Sequence, residues 1–159
     1  MIKNVFVCAL CIFLLYACNK SDANSCTTVI GQPTASEVTN LRNYLAANSI
    51  ATTEDPKGFF YNIIFSGTGA DTPSQTDSVT VRYKGTLTNG TVFDSTASGI
   101  TRKFLLSDLI TGWQYGLPLL KKGGVINLYL PPAHGYGCIS LPNVPSNSVT
   151  VFHVELNDF

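Results

Sequence analysis

The sequence predicts an α+β fold, an antiparallel β-sheet covering one short internal helix, with a second short helix ahead of it. Three observations carry this. The segment SVTVRYKGTL (78–87) alternates Val79, Val81 and Tyr83 against Thr80, Arg82 and Lys84, the period of two that marks a strand with one buried face. Asn89-Gly90 follows it and precedes another apolar run, a strong hairpin signal because both residues tolerate positive φ. One internal stretch, LITGWQYGLPLLKKGG, can start a helix, and Pro118 keeps that helix brief because it lacks a backbone donor.

The N-terminal residues are not part of that fold. Residues 1–17 join a short basic start, Met-Ile-Lys-Asn, to an apolar run, which is a signal-peptide pattern. The run is shorter than the roughly 20 residues a bilayer-spanning helix needs. Leu15-Tyr16-Ala17-Cys18 resembles the lipobox of bacterial lipoproteins, in which the cysteine is diacylated, becomes the N-terminus by cleavage and is acylated again. The resemblance makes Cys18 the lipid anchor of an exported chain. An ordinary secretory signal is the alternative, since Tyr16 is bulkier than the residue common at that place. Each buried methylene is worth about 0.8 kcal/mol, so several acyl chains hold a protein firmly at a membrane surface.

Residues 18–35 are rich in Ser, Thr and Asn without apolar periodicity and read as a solvated tether. From Ser36, SEVTNLRNYLAANSI places Val38, Leu41, Leu45 and Ala46 on one helical face, so 36–57 is a helix and linker, with Ser36 and Thr39 a weak N-cap signal. TTEDPKG is a turn, and FFYNIIF between Gly58 and Gly67 is the first strand. The hairpin corner spans Thr86 to Phe93, and a polar loop runs from Ser95 to Arg102. KFLLSDLITGW is a short strand leading into the helix start. Gly123-Gly124 after Lys121-Lys122 reads as a C-terminal helix cap. VINLYL (125–130) and VTVFHVEL (149–156) are the last strands, separated by a Pro- and Gly-rich loop.

With 10 basic and 10 acidic residues the chain carries no electrostatic footprint for nucleic acid. Arg102-Lys103 and Lys121-Lys122 read as solvated surface. Of the five cysteines, Cys8 and Cys11 would leave with the leader and Cys18 would be modified. Cys26 and Cys138 remain, as one disulfide between tether and domain in an oxidising compartment or as two unrelated thiols. His134 and His153 lack ligand-like spacing and read as surface or structural residues, so no metal and no cofactor is implied. No Ser-His-Asp or Cys-His arrangement is present to argue for nucleophilic catalysis.

Taken together, VRYKGTLTNGTVFDS, LITGWQYGLPLLKKGG, LPPAHGYG and VPSNSVTVFHVEL resemble the FKBP-type peptidyl-prolyl cis/trans isomerases in order and spacing, over about residues 58–159. The upstream helix with YLAAN also looks like the extension found in exported FKBP-type lipoproteins of Bacteroidetes. The resemblance implies a sheet half-wrapped around the short helix, with an aromatic pocket between them that receives a proline ring. Trp113 would be its floor, and Tyr83, Phe93 and Phe152 its walls. Tyr136 would donate its hydroxyl to a substrate carbonyl, and Asp94 would lie beside the twisting amide. Leu109 and Ile110 would form the lip, with the Ile110 N–H a donor, and Val144 would close the far side. Two departures from the family's best-known members concern the rim. The loop between Asp94 and Phe104 is short, leaving Phe104 or Arg102 in the place of a second wall phenylalanine, and CISLPNVP lacks a histidine often found there.

The implied protein is a monomeric isomerase that assists folding of exported proteins, taking their proline-containing segments as partners, lipid-anchored at a bacterial outer membrane. A proline-peptide-binding or chaperone module of the same fold with little turnover is the alternative, separated by activity on a short X-Pro peptide. A structural lipoprotein without a pocket is the third reading.

Overall fold

The computed structural model describes residues 28–159. The leader, Cys18, Cys26 and most of the tether therefore lie outside the described residues. The elements in chain order are α1 (Ala35–Ala47), β1 (Thr53–Glu54), β2 (Phe60–Phe65), β3 (Ser78–Leu87), β4 (Val92–Ser95), β5 (Arg102–Leu105), α2 (Thr111–Gly116), β6 (Val125–Leu130) and β7 (Thr150–Asp158). The strands form one antiparallel sheet in the order β1-β2-β6-β7-β3-β4, with β5 also paired to β3. The expected α+β architecture is present, with its short internal helix and its N-terminal helix.

Alternation along three neighbouring strands builds the core. Val79, Val81 and Tyr83 on β3, Phe152, Val154 and Leu156 on β7, and Ile126, Leu128 and Leu130 on β6 share one buried cluster with Leu106, Trp113 and Leu117. α2 packs on this face through glycine. A Cβ on Gly112 would stand 2.4 Å from Leu130 Cδ1, and one on Gly116 would stand 2.5 Å from Leu128 Cδ2. Residues four apart share a helix face, so this bare stripe lets the helix backbone come closer to β6 than any side chain allows. Trp113, between them in sequence, is thereby seated in the core.

The opposite face of the sheet is covered by α1. Phe60 and Tyr129 alternate with core-facing neighbours and bury against Leu41 and Leu45. Arg42 grips Glu54 with two hydrogen bonds, of 2.9 Å from Nε and 2.7 Å from Nη2, tying α1 to β1. The N-cap is Thr34 rather than Ser36. Thr34 Oγ1 accepts from the Glu37 N–H at 3.2 Å, and Glu37 Oε2 accepts from the Thr34 N–H at 2.7 Å, the reciprocal pair of a capping box. Just before it, the Gly31 N–H donates to Ala133 O at 2.7 Å, so residues 28–34 lie against the loop that follows β6.

Three more local readings change. Asn89-Gly90 does form a hairpin, but only Gly90 takes positive φ, at 86°. The Gly90 N–H closes a turn onto Leu87 O at 2.9 Å, while Asn89 accepts the Thr91 N–H with its side chain at 3.0 Å. Gly123-Gly124 is not a helix cap, because the helical turns end at Leu119. Instead the Gly123 N–H donates to Leu156 O at 2.7 Å and Gly124 O accepts from the Leu156 N–H at 2.8 Å, which makes the pair the entry to β6. The stretch read as a turn before β2 contains β1, too short for any periodicity to reveal.

Candidate functional site

Between the curved sheet and the start of α2 lies a cavity of about 150 Å³ lined by Tyr83, Asp94, Phe104, Leu109, Ile110, Trp113, Tyr136 and Phe152. Each lining residue has a structural reason to be there. Tyr83 and Phe152 come from inward positions of β3 and β7, and Trp113 from the first turn of α2. Trp113 meets Tyr83 edge-on at 5.2 Å and Phe152 edge-on at 5.4 Å, so three rings fix one another. Phe104 on β5 tilts against Tyr83 at 6.4 Å. Gly85 is a close-approach residue beneath these walls: a Cβ there would meet Phe93 Cζ at 2.7 Å and Phe152 Cε1 at 2.9 Å.

The polar groups are few and fixed. The Tyr83 hydroxyl donates to Asp94 Oδ2 at 2.7 Å, and the Thr96 hydroxyl oxygen accepts the Tyr83 N–H at 3.2 Å. Burial, then the Asp94 carboxylate, push the Tyr83 pKa up to about 12. Burial also raises that of Tyr136, with Asp94 adding to it. Both phenols therefore stay protonated donors at neutral pH. Tyr83 spends its hydrogen on Asp94, whereas the Tyr136 hydroxyl has no hydrogen-bond partner among the described residues. Ile110 O accepts from the Trp113 and Gln114 N–H groups at the helix start. Gln114 Nε2 donates to Leu109 O at 2.8 Å and Ser107 O at 3.0 Å, which pins the lip to the helix. Sequence reasoning missed Gln114, since an amide on a helix face gives no signal until the lip is seen to fold back over it.

The residues singled out in the sequence divide as follows. Tyr83, Asp94, Phe104, Leu109, Ile110, Trp113, Tyr136 and Phe152 gather on the cavity. Phe93 stands behind it, edge-on to Phe152 at 5.4 Å and to Tyr136 at 6.0 Å, and supports both without lining the space. Val144 is buried beneath its loop, in a bridge with Leu141, and is also absent from the lining. Cys138 is disulfide-bonded, while Cys18 and Cys26 lie outside the described residues. Among the described residues no three His, Cys, Asp or Glu side chains gather as a metal site would require.

Comparison with known proteins agrees with this geometry. A family model described as FKBP-type peptidyl-prolyl cis-trans isomerase matches residues 69–157. The chain is 43% identical over 102 residues to the FKBP-type peptidyl-prolyl cis-trans isomerase FkpA of Escherichia coli, covering 64% of this chain and 37% of that protein. FkpA of Buchnera aphidicola subsp. Schizaphis graminum is also 43% identical over 102 residues, covering 64% of this chain and 40% of that one. Thus the chain spans about two fifths of the length of these relatives. The crystal structure of FkpA from Escherichia coli superposes with a TM-score of 0.69 at 36% identity, over 78% of this chain and 59% of that one. A peptidyl-prolyl cis-trans isomerase from Pseudomonas syringae pv. tomato gives a TM-score of 0.66 at 27% identity, over 79% of this chain and 95% of that one. With more than half its length matched by the family model and the same elements in place around an aromatic cavity, the chain belongs to the FKBP-type peptidyl-prolyl cis-trans isomerase family.

Proposed function

We propose that this protein is a peptidyl-prolyl cis/trans isomerase acting on proline-containing segments of exported proteins, held at the outer membrane by an acylated Cys18. The observation that supports the reading is the small, mainly apolar cavity with Trp113 and Tyr136 among its lining residues. An X-Pro bond turns slowly because amide resonance must be lost, against a barrier of roughly 18–20 kcal/mol. No nucleophile is needed. A site that binds the twisted amide better than either planar form lowers the barrier by differential binding.

In this reading the proline ring packs on Trp113, and Tyr83, Phe104 and Phe152 keep water from the amide. Tyr136 and the Ile110 N–H hold the flanking carbonyls. Twisting leaves the carbonyl carbon poorer in electrons, and Asp94, anchored by the Tyr83 hydroxyl, sets a carboxylate beside it. The test is acceleration of cis/trans exchange in short X-Pro peptides by the wild-type protein. A well-folded protein that accelerates none of several peptides would sink the enzyme reading and leave peptide binding.

Three further outcomes follow. Tyr136→Phe removes only a hydroxyl, so kcat/KM is expected to fall about two- to tenfold, the weight of one hydrogen bond, with an unchanged melting temperature. For the anchor, Cys18→Ala protein is expected in the soluble fraction after leader removal, and retention in the membrane fraction refutes the lipid attachment. Cys138 is paired with Cys26 in this reading, the other thiol left once the leader is gone, and a non-reducing peptide map should contain the cross-linked fragment.

A further inference from the structure

The mechanism above leaves a buried histidine unused. His134 is fully buried at the end of the 3₁₀ turn Pro132–His134, two residues before Tyr136. Its Nε2 lies 2.7 Å from Lys57 O, and because a carbonyl only accepts, Nε2 carries the hydrogen. Its Nδ1 is then the acceptor for the Thr111 hydroxyl, 3.3 Å away. Thr111 opens α2 two residues before Trp113. Phe59 at 5.9 Å and Tyr115 at 5.6 Å meet the imidazole edge-on, which fixes its plane.

Both ends of this link are themselves braced. The turn presenting Lys57 O is closed by the Gly58 N–H to Asp55 O at 2.8 Å and the Lys57 N–H to Asp55 Oδ1 at 2.8 Å. Around Tyr136 the loop is held by bonds within itself, Gly137 N–H to Pro132 O at 2.8 Å and Asn147 N–H to Gly137 O at 2.7 Å. Those bonds do not reach α2. Among the described residues the polar contacts between this loop and α2 all end on the Thr111 hydroxyl, whose one hydrogen goes to His134 Nδ1 at 3.3 Å, with Ala133 O the more distant acceptor at 3.5 Å.

We infer that His134 is a positioning residue which, bonded to Lys57 O on one side and Thr111 Oγ1 on the other, sets where the Tyr136 loop stands relative to the Trp113 helix. The inference rests on the isomerase reading, since it says how the hydroxyl and the floor of that pocket keep their spacing. Only the neutral ring accepts from Thr111. Burial pushes the His134 pKa below its ordinary value; the bond to Lys57 O opposes this, as do the Glu37 and Asp55 charges, and the Lys57 ammonium adds to it, while Tyr115 is the other titratable group against the ring. An unfolded chain therefore takes this proton first, near the unperturbed value of about 6.5. The stabilisation is complete above that pH and is lost as pH falls below it.

Trp113 is the one tryptophan in the chain, so its emission reports on the pocket floor without any assay of turnover. The full mature protein is compared with His134→Phe, which keeps a ring and loses both bonds, and with His134→Gln, whose amide reaches Lys57 O. Thr111→Val removes only the hydroxyl and decides the matter if His134→Phe does not fold. His134→Phe and Thr111→Val are expected to increase acrylamide quenching of Trp113 and to lower kcat/KM on an X-Pro peptide about two- to tenfold. His134→Gln should fall between them and wild type and should flatten the loss of melting temperature below about pH 6.5. Folded variants with wild-type quenching overturn the inference, as does unchanged kcat/KM against an active wild type. If the wild type does not turn peptide over, the isomerase reading falls, and quenching alone still decides the role of His134.

Discussion

Trp113→Leu is expected to lower kcat/KM on X-Pro peptides by about tenfold or more and to lower the melting temperature by several degrees. The catalytic loss comes from the flat ring, because a branched aliphatic chain offers a proline ring less contact, and an aromatic contact carries about 0.5–1.5 kcal/mol beyond its area. The stability loss comes from burial. Trp113 is only 4% exposed, and two rings lean edge-on against it. The family resemblance reads Trp113 as a pocket floor; in the structure it lines the cavity and is part of the core as well. A buried large-to-small change costs about 3–5 kcal/mol when an aromatic becomes alanine, and leucine refills part of the space. One term offsets the loss, because Trp113 Nε1 is buried without a hydrogen-bond partner among the described residues and leucine removes that donor. A net cost of about 2 kcal/mol is the expected result, read by calorimetry or circular dichroism because the variant has no tryptophan. Wild-type kcat/KM in a folded variant would show that the ring does not touch substrate.

Gly85→Val should be as damaging, from the opposite direction. Position 85 lies near the end of β3 but is paired with Asp94 on one side and Phe152 on the other, so the backbone is held from both sides. The first added carbon already meets Phe93 and Phe152 ring atoms at 2.7–2.9 Å, and valine adds two more. Rings cannot bend away as a flexible chain can. Overpacking of this kind costs about 1–3 kcal/mol, which exceeds the few tenths that a β-branched residue gains in a strand. Phe152 is the cavity wall that would move, so kcat/KM should fall together with the melting temperature. An unaltered melting temperature would mean that the sheet yields at this point.

What the sequence revealed follows from where the information lies. Strands β3 and β7 announce themselves by alternation, because each has one face in the core and the other more open to water, whereas β6 carries Tyr129 buried under α1 on its outer face. Seven of the eight cavity residues sit in the four motif blocks, and the eighth, Phe104, lies outside them and shared its candidacy with Arg102. The supporting layer was not legible in this way. Phe93 and Val144 carry the same motif signal as the true lining residues, and only packing shows that one stands behind the wall and the other beneath its loop. Gln114 acts on the carbonyls of Ser107 and Leu109 only because the chain folds back there, and His134 acts on a carbonyl far away in sequence, Lys57 O being 77 positions from the imidazole it accepts from. Thr34 was passed over as a cap because it precedes the apolar pattern, although Glu37 stands three residues on, as a capping box requires.

The helix on the outer face of the sheet bears on how the protein can be cut. A fragment starting at Gly58 would keep every residue of the cavity, yet it would strip Leu41 and Leu45 from Phe60 and Tyr129 and release Glu54 together with Arg42. Two large aromatic surfaces would then face water on neighbouring strands, beside a β2 edge already carrying the exposed side chains of Ile64 and Phe65. Such a sheet is prone to self-association. For expression or crystallisation, the workable left-hand limit therefore lies upstream of the capping threonine, since Gly31 and, in the proposed pairing, Cys26 hold the loop after β6 as well.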